Sequence, residues 1–389
     1  MKHPWRMVAL LSTTATASYL CRVNLSVAGT FMMRELGLSQ QAMGQVFSAF
    51  LAGYALCQIP GGMLADRFGA PKVLAWAALA WVAATAGIVG AGASIAVLLA
   101  MRCLLGVAEA PTFPAAAQAI SRAIPLHQRG RANGMVVAAM GLGSAIAPPL
   151  ITFLMVRWGW RTAVLASSLP ALAVGLVWLA VCRTSAAMQS PPAVRGFRGL
   201  PGSRSFLLLT VSYTLQGYVG YIFVFWFYLY LVDVRHFDLL RGALFGSLPW
   251  LISIVSIPLG GWLFDRVSFD RRAIPIAGLA GSGLFIAIGA HVANAYLAAT
   301  CLALATALVL SVEGPFWATM TAIAGPNSGA AGGVMNMGSN LGGLISPALT
   351  PVLAASIGWE GALLLSGALA VIAALLWFGV TTETAAAAA

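Results

Sequence analysis

What this 389-residue sequence has least of is charge: only 8% of its residues are Asp, Glu, Lys or Arg, while 60% are hydrophobic. Soluble domains carry about 25% charged residues. A chain so poor in polar side chains cannot cover a water-facing surface, so a soluble enzyme is excluded and a polytopic membrane protein is implied. Lysine is almost missing, with Lys2 and Lys72 alone, and the lysine-dependent phosphate loop GxxxxGK[ST] does not occur. HExxH and GxSxG do not occur either. Transport, if that is the function, must therefore run on an ion or substrate gradient. The five cysteines (Cys21, Cys57, Cys103, Cys182 and Cys301) lie in apolar segments with no CxxC spacing, which argues against a disulfide framework and against a zinc site. No cofactor and no metal are expected. The net charge of +11 is not a nucleic-acid signature, because the arginines sit in short gaps between apolar runs.

What is present is a series of apolar runs. A spanning helix needs about 20 mostly apolar residues. Twelve such segments are read at 7–31, 43–64, 73–92, 95–120, 133–155, 162–182, 206–231, 242–263, 274–293, 296–320, 332–356 and 361–380. With the N-terminus inside, the inner segments hold fourteen Lys and Arg and the outer loops five. That asymmetry predicts both termini inside, and the expected location is a cell inner (plasma) membrane. No cleavable signal peptide is read. The stretch 183–205, rich in Pro, Gly, Ser and Arg, reads as a cytoplasmic linker between the halves 1–182 and 206–389. Its arginines are expected to face anionic membrane lipid.

The halves repeat. GGMLADR at 61–67 recurs as GGWLFDR at 260–266, an offset of 199. At the same offset Gly134, Gly143, Ile146, Pro148 and Leu150 meet Gly333, Gly342, Ile345, Pro347 and Leu349, and Gly159-Trp160 meets Gly358-Trp359. One offset in three separate places implies a duplicated six-helix unit. The expected fold is an all-α membrane protein of twelve transmembrane helices in two pseudo-symmetric halves, with a substrate site near the midplane.

A few charges interrupt the apolar runs. Arg22, Arg102, Glu109 and Glu313 all fall within membrane segments. Each costs at least ~2.5 kcal/mol near the bilayer centre, so they should face a water-filled cavity or one another. Arg102 and Glu109 are seven residues apart, which returns nearly to the same helix face about 10 Å along the axis. Guanidinium stays charged and matches a carboxylate with two prongs, so Arg22 and Arg102 are candidate anion ligands. Glu109 is a candidate proton carrier, and Glu313 is a second or else a cap on a helix break at Pro315. The rival reading of Arg22 and Glu109 is a static ion pair joining two helices. Asp66 and Arg67, with their copies Asp265 and Arg266, read as a helix-end latch at the cytoplasmic side, where Asp66 ends a helix and Arg67 begins the loop. Tyr54, Tyr218, Tyr221, Trp317, Asn336 and Asn340 are candidate cavity-lining residues. His236 and His291 are expected to be solvated.

GGMLADRFG resembles the inner-loop motif of the major facilitator superfamily. More narrowly, YLCRVNLSVA, GYALCQIPGGMLADRFG and RCLLGVAEAPTFPA resemble its anion:cation symporter branch, which includes sialin, the vesicular glutamate transporters and bacterial galactonate and hexuronate permeases. The resemblance implies that Arg22 of the RxNxS motif contacts the anion. It implies that Arg102 and Glu109 are the arginine and proton-coupling carboxylate of RxxxGxxE, and that Tyr54 is a substrate contact. Trp317 and Asn336 fall at cavity positions by a looser alignment. Many bacterial members carry an aspartate just before the first arginine, and here that residue is Cys21. Glu313 is the candidate replacement from the other half. Met140 stands where sugar-acid permeases tend to be polar, which favours an aromatic or aliphatic carboxylate.

The expected function is secondary active transport: proton-coupled symport of a small organic anion by alternating access. The partners are the anion, a proton and lipid, with no nucleic acid, and the protein is expected to act as a monomer. Two alternatives stand beside this one: a proton-driven exporter of drugs or siderophore-like compounds, and a transporter-like sensor that binds without transporting. Enzyme activity is not expected.

Overall fold

The computed structural model describes residues 4–92, 94–125, 128–184, 203–267, 270–324 and 328–381, and the middle of the expected linker lies outside them. The described residues are helical throughout, with no strand. Two compact units divide the chain, Met1–Ala193 and Val194–Ala389. The first holds α1 (Pro4–Leu36), α2 (Gln40–Phe68), α3 (Ala70–Gly90), α4 (Ile95–Glu109), α5 (Thr112–Ala123), α6 (Arg129–Ser167) and α7 (Leu169–Thr184). The second holds α8 (Arg204–Leu229), α9 (Leu239–Arg266), α10 (Ala273–His291), α11 (Ala295–Ser311), α12 (Glu313–Ala324) and α13 (Ser328–Leu376).

Nine helical stretches among the described residues have the length and composition to cross a membrane. Two of them, Arg131–Cys182 and Ala331–Gly379, are of double length and each is broken by one glycine. Those two count twice, and α1, which carries Arg6, Arg22 and Arg34 along 33 residues, brings the total to twelve spans. The breaks are copies of each other. Gly159 has φ 77° and ψ 163°, and Gly358 has φ 76° and ψ 164°. That region is essentially open to glycine alone, which explains why this residue recurs at the 199-residue offset. Packing repeats as well. In the first unit α1 packs on α6, α2 on α4, and α3 on α7; in the second α8 packs on α13, α9 on α11, and α10 on α13. A Cβ on Gly143 would strike the Thr16 carbonyl, and one on Gly342 would strike the Thr214 carbonyl. Close backbone approach through small residues is how helices associate in lipid.

Three expectations shift in detail. The fourth span is not one helix: α4 ends at Glu109 and α5 starts at Thr112. Pro111 and Pro114 lack the N–H groups that would continue the hydrogen-bond ladder. The tenth span is likewise interrupted at Val312, with φ −86° and ψ 0°, three residues before Pro315. The segment GGMLADRFGAPK was expected to leave the helix after Asp66, but α2 continues to Phe68 and turns into α3 at Gly69, whose φ is 85°. Arg67 thus lies in the last turn of α2, and Arg266 in the last turn of α9, where a cation complements the helix dipole.

Helix ends are tied down by side chains from the flanking turns. Arg235 donates from Nη1 to the Val292 carbonyl at 2.8 Å and from Nη2 to Gly289 at 2.8 Å and Ala290 at 3.1 Å, closing the C-terminus of α10. Glu35, near the end of α1, accepts hydrogen bonds from Arg161 and from Trp160 Nε1, the latter at 2.6 Å. The Arg161 bond, followed by that of Trp160, holds the Glu35 carboxyl below its usual range. His291, expected to be solvated, is exposed but pairs with Glu360 at 3.3 Å.

Candidate functional site

The first unit gathers its membrane charges in one place. Glu109 is the last residue of α4 and is fully buried. Arg22, just past the middle of α1, reaches it with Nη2–Oε1 at 2.7 Å and Nε–Oε1 at 3.0 Å. The Arg22 guanidinium lies over the rings of Tyr19, Phe50 and Tyr54, at 4.6, 5.0 and 4.7 Å from their centroids. It also donates to Tyr19 Oη at 3.2 Å. A desolvated cation over aromatic faces gains up to about 2 kcal/mol per contact, so the aromatic wall offsets part of the cost of burial.

Arg102, one face of α4 with Glu109, is fully buried. Its Nη2 donates to the Arg22 carbonyl at 3.3 Å, and its guanidinium lies 5.2 Å from the Phe50 centroid. Its Nε and Nη1, together with Glu109 Oε2, have no hydrogen-bond partner among the described residues. Buried polar groups almost always have one, and a charged group left without costs more than a neutral one. Unused donors and an unused acceptor in one buried cluster suit a group that binds an anion and exchanges a proton. The cluster is possible because α2 and α4 nearly touch. A Cβ on Gly106 would meet the Phe50 carbonyl, so this glycine lets Phe50 and Tyr54 reach the arginines.

Cys21, beside Arg22, is buried and donates weakly to the Ser167 carbonyl at 3.8 Å. Asn24 donates to Ser167 Oγ at 3.0 Å. These contacts join α1 to the end of α6.

The second unit builds a different carboxylate site. Glu313 opens α12 just after the break at Val312. It accepts from the Tyr213 hydroxyl, from Trp317 Nε1 at 3.1 Å and from Gln216 Nε2 at 3.4 Å. Trp317 Nε1 is also 3.2 Å from Tyr213 Oη. Gln216 donates to the Val309 carbonyl at 3.2 Å, spanning the gap where α11 ends. No cation approaches Glu313 among the described residues. Its sequence setting, Glu-x-Pro, matches that of Glu109, yet Glu109 has an arginine partner and Glu313 has only neutral donors.

Of the residues expected to act together, Arg22, Tyr54, Arg102 and Glu109 meet in one cluster, and Glu313 and Trp317 in another. Tyr221 stacks on Phe225 at 5.9 Å and packs against Gly343. Asn336 gives its carbonyl to Asn340 Nδ2 at 3.0 Å. Neither hydrogen-bonds to Glu313. Arg67 lies over Phe68 at 5.2 Å and Arg266 over Trp262 at 4.7 Å. Asp265 is exposed, and the Asp66 side chain lies outside what is described. Sequence reasoning missed Tyr19, Phe50, Tyr213 and Gln216. Tyr19 precedes Arg22 by three residues and Phe50 precedes Tyr54 by four, which is the spacing of helix neighbours.

A family described as the Major Facilitator Superfamily matches residues 11–329. A probable sulfoacetate transporter, SauU, of Cupriavidus necator is 33% identical over 92% of this chain and 89% of its own. A hexuronate transporter of Bacillus subtilis is 27% identical over 95% of this chain and 92% of its own. Among solved structures, a bacterial homolog of the human lysosomal transporter Spinster superposes with a TM-score of 0.81 at 19% identity, covering 97% of both chains. A D-xylose-proton symporter does so with a TM-score of 0.79 at 15% identity, covering 97% of this chain and 99% of that one. At those identities the two structures speak for the fold alone.

Proposed function

The chain belongs to the Major Facilitator Superfamily, a family of secondary transporters, and from that premise we propose that it carries a small organic anion together with a proton by alternating access. The observation that carries the proposal is the buried Arg22–Glu109–Arg102 cluster with its unused donors. Arg22 is held by Glu109 while that carboxylate is charged. A proton on Glu109 ends the ionic pairing and releases the guanidinium to a carboxylate or sulfonate of the substrate. Arg102 offers Nε and Nη1 to the same anion, and Tyr54 walls the site. Relatives named as a probable sulfoacetate transporter and a hexuronate transporter support a small acid as the substrate. A plasma-membrane location with both termini inside agrees with the arginine asymmetry. Trp317, Tyr221 and Asn336 are the contacts proposed for the second half, and Asp66, Arg67, Asp265 and Arg266 are proposed to latch the helix ends.

Glu109→Gln in proteoliposomes tests the pairing logic. The amide keeps the shape and mimics the protonated acid. Exchange of labelled anion across the membrane should persist, while acceleration by an inside-alkaline pH gradient should disappear. Persistence of that acceleration in the variant would refute the role of Glu109.

A further inference from the structure

Glu313 holds a half-buried carboxylate among three neutral donors, with no cation nearby among the described residues. The other titratable groups facing it are Tyr213 and, beyond Tyr213, Tyr221, both from α8; no charged side chain of α9, α10, α11 or α13 is in reach among the described residues. Such a carboxylate exchanges its proton without breaking an ion pair. The decisive detail is the triangle formed by Glu313 Oε1, Tyr213 Oη and Trp317 Nε1, in which the indole N–H is shared between the two oxygens at 3.1 and 3.2 Å. Tyr213 is buried, whereas Trp317 is 37% exposed, so the triangle is reached from the indole side.

We propose that Glu313 and Tyr213 form a second proton site, and that filling it turns the Tyr213 hydroxyl hydrogen over to an oxygen of the transported anion. With Glu313 charged, both donors point at the carboxylate. When Glu313 takes a proton, its new O–H donates to Tyr213 Oη, which is acceptor as well as donor. The Tyr213 hydrogen then rotates away from the carboxyl group and becomes available to an anionic oxygen. No bond other than the O–H of Glu313 forms, and the proton leaves by the reverse step. Gln216 keeps its bond to the Val309 carbonyl in both states and so holds the broken helix in place. Anion binding is thereby tied to proton uptake in the second unit, as the arginine cluster ties it in the first. This inference rests on the proton-coupled reading above.

The test measures the proton-to-anion ratio from the thermodynamic balance point in proteoliposomes, using sulfoacetate and a hexuronate as probes. Glu313→Gln should lower the ratio by one proton per anion. Tyr213→Phe, which removes the hydroxyl that ties this proton to the anion, should raise the KM of the anion about tenfold, the loss expected for one hydrogen bond to a charged group. An unchanged ratio in Glu313→Gln, or an unchanged KM in Tyr213→Phe, overturns the proposal. PH-difference infrared spectra of the purified full chain give a readout that needs no transport: Glu109→Gln should retain a titrating buried carboxyl band that Glu109→Gln/Glu313→Gln lacks, and presence of that band in the double variant also overturns it. If wild type shows no proton coupling at all, the parent reading fails instead.

Discussion

Arg22 and Arg102 are both buried guanidinium groups, but their surroundings set opposite consequences for removal. Arg22 has an ion-pair partner and an aromatic wall. Arg22→Ala strands Glu109 as an uncompensated buried acid, and breaking a buried pair in this way costs about 3–5 kcal/mol. Its melting midpoint in detergent should fall clearly. Arg102 has a single carbonyl acceptor and two nitrogens without one, so it stabilises the fold little. Arg102→Met replaces a poorly satisfied buried charge by an apolar side chain, a change that is often neutral or stabilising. Its midpoint should hold or rise while anion uptake is lost. A collapse of Arg102→Met as deep as that of Arg22→Ala would show that Arg102 is kept for structure rather than for a ligand.

At the scale of elements, the site depends on how closely α2 and α4 run. Gly106→Ala drives a methyl into the Phe50 carbonyl, and overpacking of this kind costs about 1–3 kcal/mol. Gly90→Ala, with open space around it, is the control and should melt as wild type. Equal midpoints for the two variants would contradict the packing account. The ends of elements respond to pH. Because Arg161 and Trp160 hold the Glu35 carboxyl below its usual range, their contribution is present above the unfolded carboxylate value. It is lost as pH falls through the lower folded one. Glu35→Gln should therefore narrow the difference in melting midpoint between neutral pH and about pH 3. The effect should be small, since Glu35 and Arg161 are both exposed. An acid limb as steep as that of wild type would refute it.

At the scale of the molecule, duplication was readable because it left identical residues at one offset, and Gly159 and Gly358 show why those residues repeat: each sits in the same glycine-only backbone conformation. The spans were readable from hydropathy, although α1 with its three arginines needed the context of its neighbours. Charged site residues stood out because Arg22, Arg102, Glu109 and Glu313 interrupt apolar runs. Tyr213 and Gln216 did not, since a neutral polar residue costs too little in a spanning helix to be conspicuous, and their role depends on the break at Val312. The break was readable only as one of two readings of Glu313, as a cap at Pro315, because proline is tolerated in spanning helices and does not say where the chain will bend; it falls at Val312, three residues earlier. Whether Arg22 and Glu109 act as a switch or a static pair is a question of what the whole molecule does with a proton. The most direct measurement is uptake of labelled small acids, sulfoacetate and a hexuronate among them, into proteoliposomes holding the wild-type chain, with and without an inside-alkaline pH gradient. Accumulation of one acid above equilibrium only when the gradient is present is the predicted result. Equilibration to the same level with and without the gradient would contradict it.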